Sequence, residues 1–309
     1  MNNVSDYDLF SYDYSQYWQK RRYEHLSETH LLNKIFSKKT GNWFLDVGGS
    51  YGRLTPTYIN SYKNPVILDY SAKTLKNNYD VLINKYPGIH LIAANAYKMP
   101  FKENIFDGGL MVRVLHHIEN PEDYFKELER VMRYDGTYVQ EFANKIHIKA
   151  RIRALLKGEK DFFNIKPYKQ PTVSLSEGTK NNIEGIFLNY HPKHVENMLE
   201  LEDFEIVKKY GCSYFRSPLF KKVFNDEFLL FWEKMLQSLF SFSNFPPSIF
   251  FETLVKKEND KKVSEYNFED ILACPTCKGK IEINENIALC RRCKMEFRKD
   301  DNVWDFRVD

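Results

Sequence analysis

Hydrophobic and polar positions fall into two regimes along this chain. Between residues 41 and 142, short apolar runs alternate with helical patterns. The runs are 43–47, 65–68, 89–94, 108–112 and 137–142, and the clearest helical pattern spans 121–132. Strands alternating with helices at this spacing predict a parallel sheet covered on both faces. Upstream, Leu26, Leu31, Leu32 and Ile35 fall on one side of a helix predicted over 17–36. It follows an aromatic, polar stretch holding Tyr7, Phe10, Tyr12, Tyr14, Tyr17 and Trp18. Beyond residue 142 the regularity breaks. A basic helical pattern covers 145–160, a polar stretch runs to about 185, and a helix is predicted at 192–201. Two further strands fall at 205–210 and 249–255. Between them, 226–242 is apolar around most of a helix, with Phe228, Leu229, Phe231, Trp232, Met235, Leu236, Leu239 and Phe240. That reads as a core or dimer helix, or as a lid or membrane-surface contact.

Composition narrows the function classes. The 309 residues suggest about two domains. With 43% hydrophobic and 28% charged residues the chain is globular rather than disordered. The net charge of +3 is too small for a purely electrostatic nucleic-acid binder. The basic residues of 145–160 are one place for RNA contact, though a solvated helix face explains them more simply. The polar start of the chain does not read as a secretory signal, and no apolar run is long enough to span a membrane. A cytoplasmic location is expected.

The first strand ends in Leu45-Asp46-Val47-Gly48-Gly49-Ser50-Tyr51-Gly52-Arg53. Glycines here let the backbone turn sharply and approach a ligand, and the loop is expected to open a helix whose free amides suit an anion. Asp69 ends the next strand, where a carboxylate can accept both ribose hydroxyl protons. Loop and acid together predict a nucleoside-containing cofactor and leave dinucleotide and S-adenosylmethionine both open.

The remaining landmarks separate the two. Asp46, Gly48 and Gly52 match the D-x-G-x-G-x-G loop, with Ser50 in place of the middle glycine. Asn95-Ala96 with Met99-Pro100-Phe101, Val114-Leu115-His116-His117-Ile118, Asn120-Pro121 and Leu128-x-Arg130-Val131-Met132 follow in order. This series resembles the type 11 class of S-adenosylmethionine-dependent methyltransferases. The resemblance implies a Rossmann-like α/β fold, a seven-stranded sheet with helices on both faces. It implies that S-adenosyl-L-methionine is held by Asp46, Gly48, Gly49, Ser50, Gly52, Asp69, Tyr70, Asn95, Ala96 and Val112, with Asn95 toward the adenine. It puts His116 and His117 at the substrate edge, where they either act as a base or cap the next helix; no catalytic residue is assigned.

Four of the five cysteines form two C-x-x-C pairs, Cys274 with Cys277 and Cys290 with Cys293. Each pair is a tight knuckle presenting two thiolates, and four thiolates close a tetrahedral structural zinc site (Zn2+) with no open position. The alternating segment between them reads as a hairpin, so the module is a zinc ribbon. Cys212 is read as a buried, idle thiol. The segment 271–279, Leu289 to Cys293 and Val303-Trp304 resemble the small zinc-ribbon activator that partners tRNA, rRNA and release-factor methyltransferases. Fused to its enzyme, such a ribbon is expected to pack in cis and stabilise it.

The expected organisation is an N-terminal aromatic helical segment over 1–40 and a methyltransferase domain over 41–256, with helical insertions at 145–190 and 214–246. A linker over 257–267 and the ribbon over 268–309 follow. The expected activity is methyl transfer to an unidentified small-molecule or lipid acceptor. The alternatives are an RNA or protein methyltransferase using the ribbon as a substrate or stabilising module, or a non-catalytic scaffold. A homodimer through the 228–242 helix is the expected self-association.

Overall fold

A computed structural model describes residue 18 and residues 20–169, 187–258 and 267–308. Helix α1 (Arg22–Phe36) leads into β1 (Gly41–Val47), β2 (Tyr62–Asp69), α2 (Ala72–Lys85), β3 (His90–Ala93), β4 (Phe106–Met111), α3 (Pro121–Val131) and β5 (Met132–Ala143). Next come α4 (Ile148–Lys157), the short strands β6 (Tyr168–Lys169) and β7 (Leu188–Asn189), α5 (Pro192–Leu201) and β8 (Phe204–Cys212). Helices α6 (Pro218–Val223) and α7 (Asp226–Leu239) then precede β9 (Ser248–Val255). The ribbon adds β10 (Ile281–Asn284), β11 (Ile287–Cys290), β12 (Glu296–Asp300) and β13 (Val303–Asp305). The aromatic residues Tyr7 to Tyr17, residues 170–186 of the first insertion and most of the linker lie outside the described residues.

Seven strands form the expected sheet, in the order β3-β2-β1-β4-β5-β9-β8. All run parallel except β9, which pairs antiparallel with both β5 and β8. The sheet does not stop at seven. β13 pairs parallel with β3, with Trp304 opposite Ile92 and Asp305 opposite Ala93, and β12, β11 and β10 follow antiparallel. One eleven-stranded sheet results. The reason is physical: β3 would otherwise be an edge with a free row of backbone donors and acceptors.

Period-two alternation sorts the strand residues onto two faces. Leu45, Val47, Val66, Leu68, Met111 and Tyr138 pack with Tyr124, Phe125 and Leu128 of α3 and Val195 and Leu199 of α5. Phe44, Leu110 and Val139 pack with Leu31, Leu32, Ile35 and Phe36 of α1, and Ile67 packs with Leu75 and Leu82 of α2. The ribbon has no separate core. Ile271, Leu272, Cys274, Ala288, Cys290, Phe297, Trp304 and Phe306 are part of the α3 and α5 layer.

Local chemistry sets the helix ends. Ser71 caps α2 by accepting from the Thr74 amide at 3.1 Å. α3 opens with Pro121, Glu122 and Asp123 and closes with Arg130, matching its dipole. The glycine loop departs from expectation. It opens only a 3-10 turn, Thr55–Thr57, not a full helix. β2 already begins at Tyr62, Pro56 brings no amide, and the Thr57 hydroxyl takes the Leu54 carbonyl at 2.7 Å. An anion at this loop would meet backbone amides rather than a helix dipole.

The 228–242 helix also departs from a core reading. Only Leu229, Glu233 and Gln237 of α7 are buried, and its aromatic residues are exposed.

Candidate functional site

The carboxyl ends of the parallel strands bring the predicted cofactor residues together. Gly48 and Gly52 adopt φ of 73° each, a left-handed conformation in which a Cβ would collide with Val114 and Leu82. Gly49 packs on the Asp46 carboxyl, where a side chain would collide. Ser50 takes the same left-handed region at φ 50°, so the middle position of the loop keeps glycine geometry with a serine in it. Its amide donates to Asp69 Oδ2 at 2.9 Å, and the Ser71 amide donates to Asp69 Oδ1 at 2.9 Å. Those two bonds fix the carboxylate between the loops after β1 and β2.

Asp46 is buried, and Tyr58 donates to its Oδ2 at 2.7 Å. Burial raises its carboxyl to about 7, against the pull of the Tyr58 hydrogen bond and of Arg53. Asn95, after β3, accepts from the Tyr97 amide at 3.0 Å and donates to the Val308 carbonyl at 3.3 Å. Arg307 lies over the Tyr70 ring. The end of the ribbon therefore reaches two predicted cofactor residues, Tyr70 and Asn95. Ala96 is half-buried against the core beside them. Val112 follows β4 beside the loop, since Met111 pairs with Val47, and its side chain packs in the α1 core with Leu110, Val139 and Cys212.

The pattern of the sequence did not single out a buried ion cluster beside the loop. Glu28 of α1 is fully buried and accepts from Arg53 Nη2 at 2.7 Å and Arg113 Nε at 2.8 Å. Burial opposes its charge, but Arg113 and Arg53 outweigh it and hold its carboxyl below the ordinary range. Trp18 stacks on Arg53 at 3.6 Å, and Glu141 accepts from the Arg113 amide at 2.8 Å. The signal was present: position 28 continues the helical stripe of Leu31, Leu32 and Ile35, so an acid there had to be buried and paired.

His116 and His117 lie in a 3-10 turn after β4, with their rings 3.9 Å apart and Phe187 stacked 5.5 Å from His116. Burial, then His117, Arg113 and Arg216, push His116 well below the ordinary imidazole range. It is a neutral ring and a weak base. Cys212 is buried, as expected, and receives a weak bond from Gln237 at 3.6 Å.

In the ribbon the four cysteine sulfurs lie within 4.8 Å of one another, with Cys274–Cys293 at 3.5 Å, Cys277–Cys290 at 3.4 Å and Cys277–Cys293 at 3.7 Å. A tetrahedral ion with bonds of ~2.3 Å sets sulfurs ~3.8 Å apart, so the set fits a metal. The two knuckles repeat one geometry. The Lys278 and Lys294 amides donate to Cys274 and Cys290 carbonyls at 2.9 and 3.0 Å, and both lysines have positive φ. The module is fastened beyond its strand. Lys102 and Ala273 amides donate to Ile271 and Pro100 carbonyls at 2.9 Å, and Lys278 pairs with Glu127 at 2.6 Å. Phe268 stacks on His90 at 4.3 Å.

This strand order, with a glycine loop after the first strand and an acid closing the second, defines the class I S-adenosylmethionine-dependent methyltransferase fold. Comparison with known proteins agrees. The Methyltransferase domain family matches residues 45–140. The uncharacterized protein MJ1252 of Methanocaldococcus jannaschii is 30% identical over 226 residues, 71% of this chain and 83% of that protein. The ubiquinone/menaquinone biosynthesis C-methyltransferase UbiE of Stutzerimonas stutzeri is 25% identical over 190 residues, 58% of this chain and 72% of its own. Among solved structures, the complex between the Haloferax volcanii Trm112 methyltransferase activator and a methyltransferase holds a chain with TM-score 0.52 at 10% identity. That match covers 78% of this chain and 93% of the other. An S-adenosylmethionine-dependent methyltransferase of Thermotoga maritima gives TM-score 0.51 at 15% identity, over 81% and 98%. The chain belongs to the methyltransferase family and carries a C-terminal ribbon with a four-cysteine cluster.

Proposed function

We propose that the chain is an active methyltransferase that binds S-adenosylmethionine in the 46–52 loop and transfers its methyl group to a small-molecule or lipid acceptor. The observation that carries the cofactor half is Asp69, whose carboxylate is fixed by the Ser50 and Ser71 amides. A carboxylate held in that place is positioned to accept ribose hydroxyl protons. Asn95 Oδ1 keeps a lone pair for the adenine amine, with Tyr70 and Ala96 alongside. The cofactor supplies a methyl group already made electrophilic by its sulfonium. What remains for the chain is to orient the acceptor and exclude water. The low basicity of His116 suits an acceptor that needs orientation more than strong proton abstraction.

Two observations support the acceptor class. Phe187 forms an aromatic wall on His116 and His117 at the substrate edge. A relative is named as a C-methyltransferase of ubiquinone/menaquinone biosynthesis. The four thiolates suit a structural zinc with no open position. The Haloferax methyltransferase has a separate activator in its complex. We read the ribbon of this chain as a built-in activator of that kind, a reading supported by its attachment through β13 on β3.

The test is methyl transfer from labelled S-adenosylmethionine into fractionated cell extract. Label in the lipid or small-molecule fraction is expected. Label confined to RNA or protein would overturn the acceptor class. Cofactor binding without label in any fraction would favour a non-catalytic subunit.

A further inference from the structure

Three helices at the substrate edge are built inside out. Helix α4 buries only Ala150 and Ala154 against the protein. Its large apolar residues face solvent: Ile152, Leu155 and Leu156 are 52%, 70% and 84% exposed. Lys149, Arg153 and Lys157 are exposed beside them, and the helix carries no acid. A depression of about 350 Å³ lies among Lys149, Ile152, Arg153, Leu156 and Lys157. Helix α7 is inverted the same way. Its buried residues include Glu233 and Gln237, which are tied to Tyr23, Ser213, Tyr214 and Ser27. Phe231, Trp232 and Leu239 are turned outward. Helix α6 exposes Leu219, Phe220 and Val223 beside Lys222.

The three share one edge. β5 ends at Ala143, which pairs with Ser248 at the start of β9, and Ser248 pairs with Cys212 at the end of β8. Helix α4 therefore leaves the sheet where α6 and α7 are inserted. The Ile148 amide bonds the Phe245 carbonyl at 3.0 Å, and Asn144 bonds the Asn244 and Pro246 carbonyls at 2.8 Å each, tying the start of α4 to the segment after α7. Glycine loop and histidines lie at the same edge.

We propose that α4, α6 and α7 form a docking surface for a membrane whose lipids carry negative charge. The charge pattern names the occupant. A self-association face would bring the cations of α4 against each other or against more apolar surface. A bilayer offers apolar depth to leucine, isoleucine, phenylalanine and tryptophan and anionic headgroups to the flanking lysines and arginines. Among the described residues, the acids flanking α4 and α7 are Glu159 and Asp161 after α4 and Asp226 and Glu227 at the start of α7, all at helix ends; Glu233 of α7 is buried, and Glu24 pairs with Lys221 of α6 at 2.7 Å. The contact is peripheral: among the described residues no helix is long and apolar enough to cross a membrane. The inference stands apart from the methyl-transfer reading, because its readout is binding alone.

The experiment is flotation of the full-length, zinc-loaded protein with vesicles of phosphatidylcholine, with and without phosphatidylglycerol. Binding to the anionic vesicles is expected, about tenfold or more above the neutral ones and weakened by salt. Leu155→Glu with Leu156→Glu, and separately Trp232→Glu, should lose it while keeping the circular dichroism spectrum and thermal midpoint of the parent. Lys149→Glu with Arg153→Glu should abolish the anionic preference. No flotation with either vesicle overturns the proposal. So does a dimer in sedimentation that these variants dissociate while the parent ignores vesicles, because a second copy then covers the face.

Discussion

The two additions to the methyltransferase sheet treat their apolar residues in opposite ways. The ribbon turns Phe297, Trp304 and Phe306 into the common core. The insertion helices turn Leu155, Leu156, Phe231 and Trp232 out to solvent. Both additions sit on the same seven strands, one on the free edge of β3 and one where β5 and β8 end and β9 begins. The ribbon completes the protein from within. The insertion presents a surface that the chain itself does not cover.

The largest expected effect lies in the ribbon. Structural zinc contributes ~10–16 kcal/mol of apparent binding energy in small zinc modules, and that energy is folding energy. Cys290→Ser, or stripping with a strong chelator, should unfold 268–308. It should also lower the thermal midpoint of the rest, because β3 loses β13 and Asn95 loses Val308. Elemental analysis should find one zinc per chain before treatment. Full stability and cofactor affinity without zinc would separate the ribbon from the domain it packs on.

Trp304 and Trp232, one in each addition, give the sharpest contrast. Trp304 is 2% exposed, and Trp304→Ala should cost ~3–5 kcal/mol in chemical unfolding. Trp232 is 41% exposed, and Trp232→Ala should fall within about 0.5 kcal/mol of the parent. Equal costs would erase the distinction between the two additions.

Asp46 adds a pH signature on the side of the cofactor loop. Its folded carboxyl is raised from 3.8 to about 7, so the folded state holds the proton more tightly than the unfolded chain. Its contribution to the stability of the cofactor-free protein is full below the unfolded value. It is lost as pH rises toward about 7, and is level above that. Urea titrations across this range should show the decline, and Asp46→Asn should flatten it. A small effect of the opposite sign belongs to Ser50→Gly, which relieves a left-handed serine and should stabilise the chain by ~1 kcal/mol in the same assay.

What the sequence revealed follows the same division. The parallel strands, the loop and acid, and the four cysteines were legible because each is a local pattern: a period, a turn or a spacing. The join between β13 and β3 was anticipated as packing but not as pairing, since the partner of an edge strand is decided by which free edge lies near it. The inversion of α7 was not legible. Its apolar circumference is the same whether Glu233 faces in or out, and the hydrogen bonds from Ser213, Tyr214 and Tyr23 that draw it in come from distant positions. The missing helix after Gly52 was hidden by the arrival of β2, which leaves too little chain to complete it.

The central claim, that the loop and Asp69 hold S-adenosylmethionine, is tested most directly by calorimetric titration of the zinc-loaded protein beside Asp69→Ala. Saturable one-to-one binding is expected for the parent. Loss of the charged hydrogen bonds to ribose, worth ~1.5–3 kcal/mol, should weaken the variant roughly tenfold to hundredfold. No binding by the parent, or unchanged affinity in Asp69→Ala, would contradict the account.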